Sequence, residues 1–171
     1  RTELNSPDTV TEYDDNFGRA VALSGDTVLV GAPGDDVVGA AYVFVVDHDT
    51  WVRQAKLSVP GSSEFGTSVA LDGDTALIGA PSDAGDIGRA SAGAAYVFTR
   101  SPDDDTFSQQ NKLTASDLGE YNYFGWSVSI NGDHAVVGSI HNPNGFGGPG
   151  PSVGSVYHFP RLGGPGAQTD Q

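Results

Sequence analysis

The sequence predicts an all-β fold, an array of three four-stranded antiparallel sheets stacked face to face. Three observations carry that expectation. One passage is written three times along the chain. Each copy divides into short strand candidates bounded by Gly, Pro and Asp, with no sustained helical period. The middle strands are apolar on both faces, so each sheet needs cover on both sides.

The first copy reads FGRAVALSGDTVLVGAP and then GAAYVF, over Phe17 to Phe44. The second is FGTSVALDGDTALIGAP with GAAYVF, over Phe65 to Phe98. The third, more divergent, is FGWSVSINGDHAVVGSI with GSVYHF, over Phe124 to Phe159. The first residue of FG and the Gly of the GAP segment stand 14 residues apart each time (Phe17 to Gly31, Phe65 to Gly79, Phe124 to Gly138). A fixed offset within repeated text marks one structural unit used repeatedly.

Within the first copy, strand one runs from about Gly18 to Ser24, and Gly25-Asp26 turns the chain. Strand two is the apolar run Thr27 to Ala32, stopped by Pro33-Gly34. Strand three is Ala40 to Asp47, and the turn His48-Asp49-Thr50 leads to strand four, Trp51 to Val59. Strict alternation there puts Trp51, Arg53, Ala55 and Leu57 on one face and Val52, Gln54, Lys56 and Ser58 on the other. Small residues beside the runs (Ala20, Ala22, Gly39, Ala40, Ala41) allow close approach between sheets. The second copy follows the same plan, with longer loops at 82–92 and 101–106 and with Phe107 in the place of Trp51. The third keeps strands one to three and lacks a fourth.

The lead-in, residues 1–16, begins with Thr2-Glu3-Leu4-Asn5-Ser6-Pro7-Asp8. This resembles the ends of the complete copies, Ala55-Lys56-Leu57-Ser58-Val59-Pro60 and Asn111-Lys112-Leu113-Thr114. The organisation expected is a closing strand and lead-in at 1–16, units at 17–60, 65–117 and 124–162, and a flexible tail at 163–171.

Bulk composition bounds the function. At 171 residues the chain can bury a real core. With no Cys it has neither disulfides nor thiolate metal sites. With no Met it reads as a processed product or a piece of a longer chain. No apolar run approaches the roughly 20 residues of a membrane-spanning helix. A net charge of −14 repels nucleic acid. Of 22 acidic residues 18 are Asp, against two Lys. Such a surface suits a saline source, or simply a secreted protein with acidic loops.

The three copies resemble the FG-GAP repeat family in its bacterial and archaeal form, in which FG, a GD turn, GAP and AYVF recur in order. The resemblance covers about residues 17–159. It implies a β-propeller-type array whose last blade is completed by an N-terminal strand, from its own or a neighbouring chain. It also implies an extracellular or cell-surface setting. Integrin-type members carry a Ca²⁺ loop between the FG and GAP strands. Here that place holds only Ser24-Gly25-Asp26, Asp72-Gly73-Asp74 and Asn131-Gly132-Asp133, too few oxygens for calcium. Their Asp residues are read as turn formers.

Other chemistry is sparse. No cofactor is expected; weakly bound calcium is the alternative, at Asp35, Asp36, Asp83 or Asp86, the last two on the longer loop. Asp14-Asp15-Asn16 and Asp103-Asp104-Asp105 read as solvated turns. Of the four His, three (His134, His141, His158) belong to the third copy, without metalloenzyme spacing. No G-x-S-x-G elbow, Cys nucleophile or phosphate loop is present, so the chain is read as non-enzymatic. Tyr121, Tyr123 and Trp126 crowd around Phe124 and suit a glycan or a subunit contact.

Three blades do not close a propeller of the usual four to eight. The surplus strand at the start and the missing strand at the end are the same strand. The expected function is therefore an extracellular structural module that assembles with itself as ring or filament, by strand exchange and blade stacking. The assembly residues are Thr2, Glu3, Leu4 and Asn5 with Val156, Tyr157 and Phe159. Other outcomes are a fragment of a longer propeller, or an adhesion module recognising glycan or protein.

Overall fold

A computed structural model of the chain describes residues 2–6, 14–84, 88, 90–115, 119–141 and 154–160. The described residues form eleven strands and no helix. The first sheet is β1 (Ala20–Ser24), β2 (Thr27–Ala32), β3 (Ala40–Asp47) and β4 (Thr50–Leu57), in that order. The second is β5 (Ser68–Asp72), β6 (Thr75–Ala80), β7 (Ala94–Arg100) and β8 (Phe107–Leu113). The third has three strands, β9 (Ser127–Asn131), β10 (His134–Ser139) and β11 (Ser155–Pro160), with β11 at its edge. All pairings within the sheets are antiparallel.

The GD turns behave as their composition requires. Ser24 pairs with Thr27, Asp72 with Thr75 and Asn131 with His134, which leaves two-residue loops. Gly25, Gly73 and Gly132 take φ of 55°, 54° and 54° at the first loop position, where only glycine is unstrained.

The sheets stack in chain order. Leu29, Val43 and Leu57 of the first sheet meet Phe65, Ile78, Tyr96 and Phe98 on the second. Leu77, Val97 and Leu113 then meet Phe124, Val137 and Phe159 on the third. Each fully buried side chain of this size contributes about 1.5–3 kcal/mol. The Phe of FG plugs each junction: Phe65 and Phe124 are fully buried and lie edge-on to Phe98 and Phe159. Their N–H groups donate across the junction to Val38 O and Ala92 O, both at 3.0 Å. β1 lies against β5 and β5 against β9, so the sheets converge along their first strands, as propeller blades do. The array is open, not a closed ring.

The alternation expected in strand four fails halfway. The β3–β4 register shifts between Val43, opposite Ala55, and Phe44, opposite Arg53, so Gln54 is an extra residue. Ala55 and Leu57 therefore face the second sheet while Trp51 packs on the opposite face of its own. The second sheet repeats the bulge at Gln110. Nor do residues 2–6 form a strand on the third sheet of their own chain; they carry no strand structure and Leu4 packs on the first sheet. The expected tail at 163–171 lies outside the described residues.

Candidate functional site

The two end faces of the stack are the chemically unusual surfaces. On the first sheet Val21 and Leu23 are 67% and 66% exposed. Their counterparts Val69, Leu71, Val128 and Ile130 are half-buried inside the junctions. Phe17 is half-buried, whereas Phe65 and Phe124 are closed off completely. The other end has changed character. Ser129, Val136, Val156 and His158 stand where the second sheet carries Ala70, Leu77, Ala95 and Val97. All four are exposed, Val156 at 72%.

The N-terminal segment lies on the first of these faces. Leu4 packs on the cluster of Val30, Ala32, Ala40, Tyr42 and Phe44, with Phe17 and Trp51 beside it. Leu57 stands in the same relation to Ile78, Ala80, Ala94, Tyr96 and Phe98 on the second sheet. The segment is tied down where Ser6 Oγ donates to Asp15, whose other oxygen accepts the Phe17 N–H at 3.0 Å. Thr2, Glu3 and Asn5 are exposed. A cavity of about 410 Å³ opens between Thr2, Leu4, Val21, Leu23, Val28 and Trp51. Of the residues expected to take part in assembly at the other end, Val156 faces out. Tyr157 and Phe159 instead pack on Phe124 in the junction with the second sheet. The pleat dictates this, because residues 157 and 159 share one face and 156 and 158 the other.

The acidic loops are not all solvated tips. Asp35 and Asp83 are 1% and 3% exposed. Asp83 accepts from Tyr96 Oη at 2.5 Å and pairs with Lys112 Nζ at 3.2 Å. Asp35 accepts from Tyr42 Oη and pairs with Lys56 Nζ at 3.1 Å. Each ammonium also lies over the ring of that tyrosine. The loop after GAP is thereby fastened to strands three and four of its own sheet, and the lysine supplies the positive charge a metal would bring. Asp36 is exposed and shares Lys56 at 3.0 Å; Asp86 lies outside the described residues. Among the described residues no three His, Cys, Asp or Glu gather as metal ligands. The triads were legible in principle: Asp after GAP, Tyr of AYVF and Lys before Leu recur together in both complete copies. Asp14 and Asp104 cap turns, with Asp14 accepting from Asn16 N–H and Asp104 from Thr106.

Two of the three histidines converge. His134 and His158 stack at 5.1 Å with ring nitrogens 2.9 Å apart, exposed on the outward face of the third sheet. His141 packs instead on Tyr123. Tyr123 also meets Trp126 edge-on, and Tyr121 and Trp126 are 42% and 41% exposed. Trp126 borders a shallow depression of about 280 Å³, with Arg19, Pro33, Glu64 and Thr67 around it. Arg19, Thr67 and Trp126 each follow an FG, so the depression spans the convergent edge of all three sheets.

Sequence reasoning did not find the bonds that cross the junctions. Ser68 Oγ donates to Gly125 O at 2.8 Å. Ser24 Oγ accepts the Gly73 N–H at 3.0 Å, and Asp72 Oδ2 accepts the Gly132 N–H at 2.5 Å. At Gly31 and Gly79 a Cβ would come closer than 3.0 Å to the carbonyl oxygens of Gly66 and Gly125. Glycine at these strand positions is what lets the sheets touch.

No curated protein matches the chain closely enough to be named as a relative. The FG-GAP repeat profile matches residues 8–44, 51–98 and 107–159. The second match runs from β4 to β7 and the third from β8 to β11, so these units straddle the junctions between sheets. Repeats of this kind typically occur in extracellular or cell-surface proteins, as structural or binding modules. With most of its length matched and the sheets arranged like blades, the chain belongs to the FG-GAP repeat family.

Proposed function

We propose that the chain is a non-enzymatic extracellular structural module that assembles with copies of itself, by exchange of its N-terminal segment and stacking of its end sheets. The observation that carries this reading is the position of Leu4. It sits on the first sheet as Leu57 sits on the second, in the place of the last strand of a preceding blade. Among the described residues β11 is the edge of the third sheet, and an edge of this kind offers a seat for such a strand. The buried carboxylates favour a structural role, since Asp35 and Asp83 are each held by a phenol and an ammonium inside one sheet. Sedimentation velocity on the 171-residue chain tests the proposal. Species larger than 17.6 kDa that shrink when residues 1–8 are deleted support it. A chain that stays monomeric at every concentration overturns it.

The depression beside Trp126 supports a second reading, adhesion by recognition of glycan or protein. An exposed indole flanked by Arg19 and Glu64 offers a stacking platform with polar groups at its rim. Glycan-array binding lost in Trp126→Ala would favour it.

A further inference from the structure

The two end faces carry, half each, the polar and steric devices of the internal junctions. On the third sheet, Ser127 and Asn131 occupy the places of Ser68 and Asp72, the side chains that cross from the second sheet to the third. Both are exposed. Gly138 occupies the place of Gly79. In a single chain the three described atoms nearest to a Cβ at Gly138 all belong to Ser127 of its own sheet, and Gly138 is not a residue whose φ demands glycine. On the first sheet, Gly18 and Gly25 occupy the places of Gly125 and Gly132, the groups those side chains reach. Among the described residues nothing stands within 4 Å of a Cβ at Gly18, whereas one at Gly125 would meet Ala94 O and Ala80 N of the preceding sheet.

From this we infer that the partner is a second copy of the chain, and that two copies close into one six-sheet ring through two identical junctions. The inference rests on the self-assembly reading and adds its partner geometry and its number. In each junction Ser127 Oγ donates to Gly18 O of the other copy, and Asn131 Oδ1 accepts its Gly25 N–H. Gly138 lies against that copy's Gly18 carbonyl, and its Leu4 segment lies along β11 as the fourth strand. The contact joins unlike faces, so it either closes or propagates. Number decides between these. Closed propellers have about four to eight blades, the described residues of each 171-residue chain bring three sheets, and six is the only multiple of three in that range.

The test is sedimentation equilibrium on the 171-residue chain and on two sets of variants. The expected wild-type species has twice the 17.6 kDa chain mass and does not grow with concentration. Gly138→Ala should raise the dissociation constant at least tenfold, with the circular dichroism of the separated chain unchanged. Asn131→Ala should weaken the dimer, and Asn131→Asp should preserve it, because Asp72 already does this work internally. A monomer at all concentrations overturns both the ring and the self-assembly reading. Polymers that lengthen with concentration overturn the ring alone. A dimer indifferent to Gly138→Ala and Asn131→Ala overturns the junction assigned here and leaves self-assembly standing.

Discussion

Gly79→Ala tests the packing of the stack more severely than any loss of a large side chain. Gly79 lies in β6, and a Cβ there would come within 3.0 Å of both Gly125 O and Ser68 Oγ. These two atoms are already hydrogen-bonded to each other. The obstructing atom is backbone and cannot swing aside, so relief requires the second and third sheets to part along β5 and β9. Overpacking of this kind costs about 1–3 kcal/mol, and the rigidity of the obstacle places Gly79→Ala near the top, at about 3 kcal/mol. With a urea slope of about 2 kcal/mol/M, the unfolding midpoint falls by about 1.5 M. Gly31→Ala should behave alike, because it faces Gly66 O in the same way. Gly138→Ala is the internal control. In the separated chain the one atom closer than 3.4 Å is the rotatable hydroxyl of Ser127, and the Cβ and carbonyl oxygen of Ser127 lie at ordinary contact distance, 3.7 Å. Restricting the unfolded chain returns about 0.4–1 kcal/mol, so the net change is near zero. Urea titrations followed by tryptophan fluorescence at concentrations where the chain is dissociated would measure all three. Equal midpoint shifts for Gly79→Ala and Gly138→Ala would refute the reasoning.

Three further outcomes are expected. Lys112→Met leaves the Asp83 carboxylate, 3% exposed, with its Tyr96 bond but no ammonium. Breaking a buried pair costs about 3–5 kcal/mol; the lysine's partial exposure lowers this to about 2 kcal/mol, read by chemical unfolding. His158→Val restores the residue that is fully buried as Val43 and Val97 in the internal junctions. It should tighten the dimer by more than about a hundredfold, since burying a valine contributes about 1.5 kcal/mol in each of the two junctions; a weaker dimer would show that this face stays uncovered. The Thr106 hydroxyl, helped by its N–H, holds the Asp104 carboxyl below the ordinary value of 3.8. The folded value is depressed, so the hairpin's gain is present above pH 3.8 and fades as pH falls through the folded value. An NMR titration of Thr106→Ala should show Asp104 moving up toward 3.8.

Much of the fold was legible because the chain repeats itself. Three copies of FG and GD, two of them with GAP, set sheet number, strand order and turn positions, and β2, β3, β6 and β7 follow directly from their double-sided apolar runs. Two kinds of feature were hidden. The bulges at Gln54 and Gln110 leave composition unchanged and shift only register, so alternation assigned Trp51 to the wrong face. The burial of Asp35 and Asp83 depends on a lysine two strands away, and an acidic pair on a loop reads as solvated until that lysine is placed. The end segment fell between. Its likeness to the last strand of a unit was visible, and its seat against the first sheet was not, because the buried residues that Leu4 joins, Val30 to Phe44, lie far along the chain. The devices that cross the junctions, Ser68 and Asp72, look like ordinary strand-edge polar residues until the next sheet is set against them.

Self-assembly requires that the outward face of the first sheet be covered in solution as the internal faces are. Amide hydrogen exchange at Gly25, read beside Gly73 and Gly132 in the same sample, measures this directly. At high protein concentration the Gly25 amide should exchange as slowly as the other two, and it should speed up on dilution while they do not. A Gly25 amide that exchanges at the rate of an open turn at every concentration, with Gly73 and Gly132 protected, would contradict self-assembly.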